Sequence, residues 1–297
     1  MGPFPLKAGQ GEEDNIAAVA AQIKAVNPFS KVLMYQNSQF AYPWYRLYET
    51  AMLNGTWWVK NTTTGKEVTH TIFNENCTNS KPCPGVTVGY WDFTQEGLRA
   101  AWVDTCTKTP SIDGCFIDGA ESDLPPFSKT DNTSLFDAGR AATFKAIAAA
   151  GSLVVINDKK YYDPAPPYPS AQGEFIETFS GSDKKWLDIL NRTTDGHLVE
   201  AHTGARAGQG ICHSDENSLE GIADLAAFLL AAQEYSYFGC SSWEDVPTWP
   251  AVYDKPLGAP LGQATQDSDG TWHRNFARGT KVSLNYNKKT ANIEWGK

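Results

Sequence analysis

The sequence predicts an α/β fold, a (β/α)8 TIM barrel with a short C-terminal β extension, on three observations. Apolar runs of four to six residues alternate with helical stretches, the pattern of parallel strands buried beneath helices. Neither GxGxxG nor GxxxxGK[ST] occurs, whereas an open nucleotide-binding sheet offers such a turn after its first strand. Polar residues close the apolar runs: Gln36 and Asn37, Asp92, Asp118, Asn157 and Asp158, Glu177, then Glu200 and His202. Strand ends of that kind form the catalytic rim of a barrel.

The elements follow in order. Residues 14–26 (DNIAAVAAQIKAV) read as an Ala-rich helix that Asn27-Pro28 ends. Residues 31–36 (KVLMYQ) read as a strand and 44–53 as a helix. Residues 54–86 are polar and Thr/Asn-rich, a surface excursion. Strands are then expected at 87–93 (TVGYWDF), 113–118 (DGCFID), 152–157 (SLVVIN), 174–179 (EFIETF), 197–202 (HLVEAH) and 235–240 (YSYFGC). Helices are expected at 95–105, 136–150, 183–191 and 218–234, with a Pro/Tyr loop at 161–169. The count is seven strands. The first barrel strand is therefore expected either to lie outside this sequence, with any signal peptide, or to be a short irregular strand at 4–6. The domain reading is a barrel over 1–245, carrying the excursion, and a closing segment with short strands over 246–297.

Composition narrows the function classes. The 297 residues are 41% hydrophobic, enough for a full core. A net charge of −9 argues against a nucleic-acid binder, which needs clustered cations facing phosphates. No apolar run approaches the ~20 residues of a membrane span. The most apolar stretch, 222–232, is interrupted by Asp224 and reads as a buried helix. Ten Trp, twelve Tyr and fourteen Phe are a heavy aromatic load, and such rings stack on the apolar faces of sugars. Five N-x-S/T sequons, at Asn54, Asn61, Asn76, Asn132 and Asn191, point to the secretory pathway. So do six cysteines, for which Cys77–Cys83, Cys106–Cys115 and Cys212–Cys240 is one of several possible connectivities. No Cys/His cluster has zinc-ligand spacing, and residues 267–270 lack the downstream Glu of an EF-hand loop. Neither a metal nor a cofactor is expected. GxSxG is absent, which argues against an α/β-hydrolase. Oligomeric state is not legible.

The richest segment reads YWDFTQEGLRAAWVDTC…SIDGCFIDGAESD. It resembles glycoside hydrolase barrels, in which an Asp at strand three and an amphipathic helix precede G-[IV]-D-G-x-F-x-D at strand four. Here that motif is S-I-D-G-C-F-I-D, with Ser111 where Gly is usual. Tyr253-Asp254-Lys255-Pro256-Leu257-Gly258 and Trp272-His273-Arg274-Asn275-Phe276-Ala277-Arg278-Gly279-Thr280 resemble the closing segment of uncharacterised glycoside hydrolases. The resemblance runs from Asp14 onward and implies cleavage of glycosidic bonds. That chemistry needs one carboxyl to protonate the leaving oxygen and another to attack the anomeric carbon or activate water. A carboxyl separation of about 5–5.5 Å gives retention and ~6.5–9.5 Å gives inversion.

Asp118 is the first candidate, as nucleophile or base. In α-galactosidase and α-glucosidase barrels the nucleophile lies at strand four, which Asp118 matches, and the acid/base at strand six, which Glu177 matches. Glu200 competes, since cellulase-type barrels place a carboxylate at strand seven; His202, two residues on, shares its face, and Arg206 is another possible partner. Substrate-binding candidates are Tyr35, Gln36, Trp91, Asp92, Asn157, His202 and Trp243. Asp92 with Thr94 reads equally well as a helix start. The partner expected is a carbohydrate, with no nucleic acid and no membrane. Two rivals stay open: a carbohydrate-binding barrel without catalysis, and a barrel lyase or isomerase acting on a uronate-type acid.

Overall fold

The computed structural model describes residues 11–61, 63–72, 86–120, 133–157, 171–177, 179–181, 184, 187, 197–203, 219–240 and 251–297. The chain divides into two compact units: Met1–Asp158 with Ala165–Gln172, and Lys159–Pro164 with Gly173–Lys297. The division falls inside the segment read as one barrel domain. The expected boundary at 245/246 lies within the second unit, because the closing segment shares that unit's hydrophobic core.

In the first unit, α1 (Glu12–Val26) begins with Glu12, Glu13 and Asp14, acidic residues suited to the positive end of a helix. Glu13 is buried and accepts the Arg46 and Leu47 amides, so it also caps the start of α2 (Arg46–Asn54). Three parallel strands follow: β1 (Leu33–Asn37), β5 (Gly114–Asp118) and β6 (Leu153–Asn157), in the order β1-β5-β6. The chain between β1 and β5 holds β2 (Phe40–Ala41), α2, β3 (Thr69–Ile72), β4 (Val86–Tyr90) and α3 (Glu96–Lys108). Helix α4 (Thr133–Ala149) joins β5 to β6.

One expectation is corrected here. The 87–93 segment is not a parallel strand. It is β4, antiparallel to both β2 and β3. The 48 residues between β1 and β4 would allow a parallel crossover, but β4 pairs with the short strands β2 and β3 instead of joining the sheet of β1. The described residues thus hold six parallel strands rather than seven. The excursion is only partly a surface feature. Trp57, Trp58 and Val59 are buried, and Trp58 stacks on Trp91 at 5.4 Å. Of the cysteine pairs, Cys106–Cys115 is bonded and joins α3 to the start of β5. Cys240 is disulfide-bonded too. Cys77, Cys83 and Cys212 lie outside the described residues, as do the 4–6 strand, the 161–169 loop and most of the 183–191 helix.

In the second unit, β7 (Gly173–Ile176), β8 (Leu198–Thr203) and β9 (Ser236–Cys240) are parallel, in the order β7-β8-β9. Helix α5 (Leu219–Ala231) buries Leu225 through Ala231. Its Asp224 is buried and accepts from the Gly181 amide and the Thr203 hydroxyl, which satisfies the charge that interrupts the apolar run. Strands β10 (Thr265–Gln266), β11 (Trp272–Asn275), β12 (Lys281–Asn285) and β13 (Thr290–Glu294) form an antiparallel sheet. Among the described residues, β5-α4-β6 in the first unit and β8-α5-β9 in the second join parallel strands through a helix, as the (β/α)8 reading expects. Among the described residues no helix is long and apolar enough to cross a membrane.

The two motifs acquire physical explanations. Ser111 sits at φ 67°, a left-handed conformation that glycine adopts without a Cβ clash. Ser111→Gly is expected to stabilise the protein by about 1 kcal/mol, read from the urea midpoint; an unchanged or lower midpoint would refute the strain. Arg274, 3% exposed, donates Nη1 to the Leu229, Leu230 and Ala232 carbonyls and Nε to Gly262 O. It satisfies the orphan carbonyls at the end of α5, which every helix leaves. Arg274→Ala should cost about 3 kcal/mol by denaturation, since buried carbonyls lose a charged donor. A loss under a third of that would mean that water replaces the guanidinium.

Candidate active site

Strand side chains alternate between faces, so Tyr35 and Asn37 share one face of β1, and Phe116 and Asp118 one face of β5. The parallel register aligns Tyr35 with Phe116 and Asn37 with Asp118. Phe116 is aligned with Val155, which puts Asn157 on the same face of β6. Four donors therefore converge on the Asp118 carboxyl. Oδ2 accepts from Tyr35 Oη at 2.7 Å and Asn37 Nδ2 at 3.3 Å. Oδ1 accepts from Asn157 Nδ2 at 3.1 Å and the Gly119 amide at 2.8 Å.

The backbone around Asp118 is fixed as well. Ser38 donates its amide (2.8 Å) and its hydroxyl (3.1 Å) to the Asp118 carbonyl. Gly119 adopts φ 63°, and a Cβ there would meet Asn37 Oδ1 at 3.0 Å. Its carbonyl accepts from Arg140, a 1%-exposed guanidinium that also pairs with Asp137 at 2.7 Å. The Tyr35 phenol is pushed far above its ordinary value, first by burial of the hydroxyl, then by the neighbouring Asp118 charge. It stays a donor. Tyr42 and Trp44 stack at 4.5 Å beside this group, and Tyr42 Oη is 3.5 Å from Asn37 Nδ2.

The second unit carries a different carboxyl. On β8, Glu200 is aligned with Phe175 and Tyr237, and His202 with Gly239. Burial pushes the Glu200 carboxyl above the ordinary carboxylate range. Tyr253, on a 3-10 turn (Ala251–Asp254), is pushed up to about 12 by burial and by the Glu200 charge. His202 lies against Phe175, ring centroids 5.5 Å apart, and burial pulls it below the usual imidazole value, with Glu177 opposing. Its imidazole is neutral at neutral pH. Glu177 follows β7 and supports His202 through its backbone.

Of the sequence candidates, Asp118, Tyr35 and Asn157 come together, as do Glu200, His202 and Glu177. Three others have different surroundings. Gln36 is 1% exposed, on the opposite face from Tyr35, where it donates to Met34 Sδ at 4.0 Å. Trp91 is 1% exposed, stacked on Trp58 with Nε1 bonded to Asn37 O, so no sugar reaches its ring. Asp92 accepts from the Thr94 amide and hydroxyl and from Gln95 Nε2 at the start of α3, a capping role. Trp243 and Arg206 lie outside the described residues. Asn37, Gly119, Tyr253 and Gly239 were not among the candidates. Two-residue spacing from Tyr35 was the signal for Asn37; the others act through space.

Glu200 makes a stability prediction. Its folded pKa lies above the unfolded value, so its contribution is full below the unfolded carboxylate range, near ~4.3, and is lost as pH rises through the folded value. Thermal melts should show Glu200→Gln gaining on the wild type as pH rises through that window. Parallel curves would contradict the burial.

Comparison with known proteins identifies the family. The family model described as hypothetical glycosyl hydrolase family 15 matches residues 24–280. No curated protein matches the chain. Similar solved structures include an α-N-acetylgalactosaminidase from Bifidobacterium bifidum, at 12% identity and a TM-score of 0.43, covering 88% of this chain and 41% of its own. A cyclic α-maltosyl-(1→6)-maltose hydrolase from Arthrobacter globiformis gives 12% and 0.46, covering 92% and 71%. An α-amylase from Malbranchea cinnamomea gives 12% and 0.49, covering 92% and 66%. The chain thus spans well under half the length of the galactosaminidase.

Proposed function

Because the chain belongs to hypothetical glycosyl hydrolase family 15, we propose that it hydrolyses O-glycosidic bonds of an oligo- or polysaccharide through two carboxyl groups. The single observation that carries the assignment of roles is the four-donor array on Asp118. A carboxylate aimed by four donors meets the anomeric carbon, or the attacking water, in one orientation, and orientation supplies much of the rate. Asp118 is the nucleophile or base.

Glu200 is the acid. Desolvation keeps its proton to higher pH than an ordinary carboxyl, which a donor to a leaving oxygen requires. Neutral His202 and Tyr253 flank it without adding charge of their own. Glu177 holds His202. No step calls for a metal or cofactor. A secretory route, with glycans on the sequons, completes the proposal. The Cys106–Cys115 bond and the bonded Cys240 support it, since disulfides persist in oxidising compartments.

The test is a screen of oligosaccharides and aryl glycosides, with the product anomer read by NMR. Asp118→Asn should abolish turnover on every substrate while melting like the wild type. Glu200→Gln should lose about 10²–10⁴-fold on natural leaving groups but keep activity on activated aryl glycosides such as nitrophenyl glycosides, whose leaving oxygen needs no proton. In the wild type, kcat should fall as pH rises through the raised Glu200 pKa. Full activity in Asp118→Asn, or equal loss on both substrate types in Glu200→Gln, overturns these roles.

A further inference from the structure

We propose that Gly239 is a positioning residue, which seats the Glu200 carboxyl by leaving the volume of a side chain empty on β9. The proposal rests on the reading of Glu200 as the acid. A Cβ placed at Gly239 would lie 3.1 Å from Glu200 Oε1 and 3.0 Å from His202 Cδ2. Both are closer than side-chain carbons ordinarily approach, so the carboxyl oxygen occupies the space that a methyl would take.

Backbone conformation does not explain the glycine. Gly239 is not among the positive-φ positions, and it lies in a regular parallel strand paired with His202. Nor is β9 free to retreat. Tyr253 Oη donates to the Phe238 carbonyl at 3.0 Å, and Cys240 is disulfide-bonded. The residues on both sides of Gly239 are held, so an added methyl must be accommodated by the side chains it meets. His202 is buried against Phe175. The Glu200 carboxyl is the end of a flexible chain and is the group that moves.

The titratable groups facing this volume are Glu200 and His202 from β8, Tyr253 from the 3-10 turn, and Glu177 beyond β7. A methyl at 239 would displace the carboxyl by a few tenths of an ångström and exclude more water from it. The fold need not change.

The test is Gly239→Ala, alone and combined with Glu200→Gln, on the oligosaccharide and aryl glycoside that the wild type turns over. Gly239→Ala should lower kcat on the oligosaccharide about tenfold, with KM nearly unchanged and a smaller loss on the aryl glycoside. Its basic limb should move to higher pH. The double variant should lose no more than Glu200→Gln alone, because both act on one group. Unchanged kcat and pH limb, losses that multiply in the double variant, or a drop in melting temperature with kcat per folded molecule intact would each overturn the proposal. If Glu200→Gln loses its acid function and Gly239→Ala is unaffected, only Gly239 is misread. If Glu200→Gln keeps full turnover, the acid assignment falls and Gly239 with it.

Discussion

Four hydrogen bonds onto one carboxyl hold the first unit's functional face together. Tyr35 and Asn37 reach Asp118 from β1, Asn157 from β6 and Gly119 from the next peptide. The three side-chain donors are far from Asp118 in sequence and reach it only because β1, β5 and β6 pair in one parallel register. A slip of one residue would turn every one of these side chains to the other face. The opposite face secures the register: Met34, Cys115 and Ile117 are buried, and Cys115 is tied to α3 through Cys106. Packing on one face thus determines chemistry on the other.

The second unit treats its carboxyl differently. Glu200 has desolvating neighbours, a neutral imidazole and a phenol with a raised pKa, where Asp118 has a ring of donors. Two carboxyls in unlike surroundings suit the two roles proposed for them. The closing segment joins in here. Arg274 ties its sheet to α5, and Tyr253 brings a hydroxyl to β9. Residues that resembled a family signature in sequence therefore do structural work at α5 and β9.

Much of this was legible in the sequence. Alternating apolar runs gave the parallel strands, and the polar residue closing each run gave Asp118, Asn157 and Glu200. Local periodicity could not tell the 87–93 segment from a barrel strand, because pairing direction depends on the partner. It could not separate Gln36 from Tyr35 either: adjacent residues on a strand face opposite ways, and only the register says which face is buried. Trp91 and Trp58 look like sugar platforms in a list of aromatics, but they stack on each other. Ser111 in the glycine position of the motif became interpretable once its φ was known. Gly239 carries no side chain to notice, and its part follows only from what its absent Cβ would touch.

The most direct measurement of the central claim is chemical rescue at Asp118. Asp118→Ala should be inactive on an activated aryl glycoside, and azide should restore turnover by occupying the vacated carboxylate position and forming a glycosyl azide. Tyr35 and Asn157 would still line that position. Wild-type turnover by Asp118→Ala without azide would contradict a catalytic carboxylate at this position.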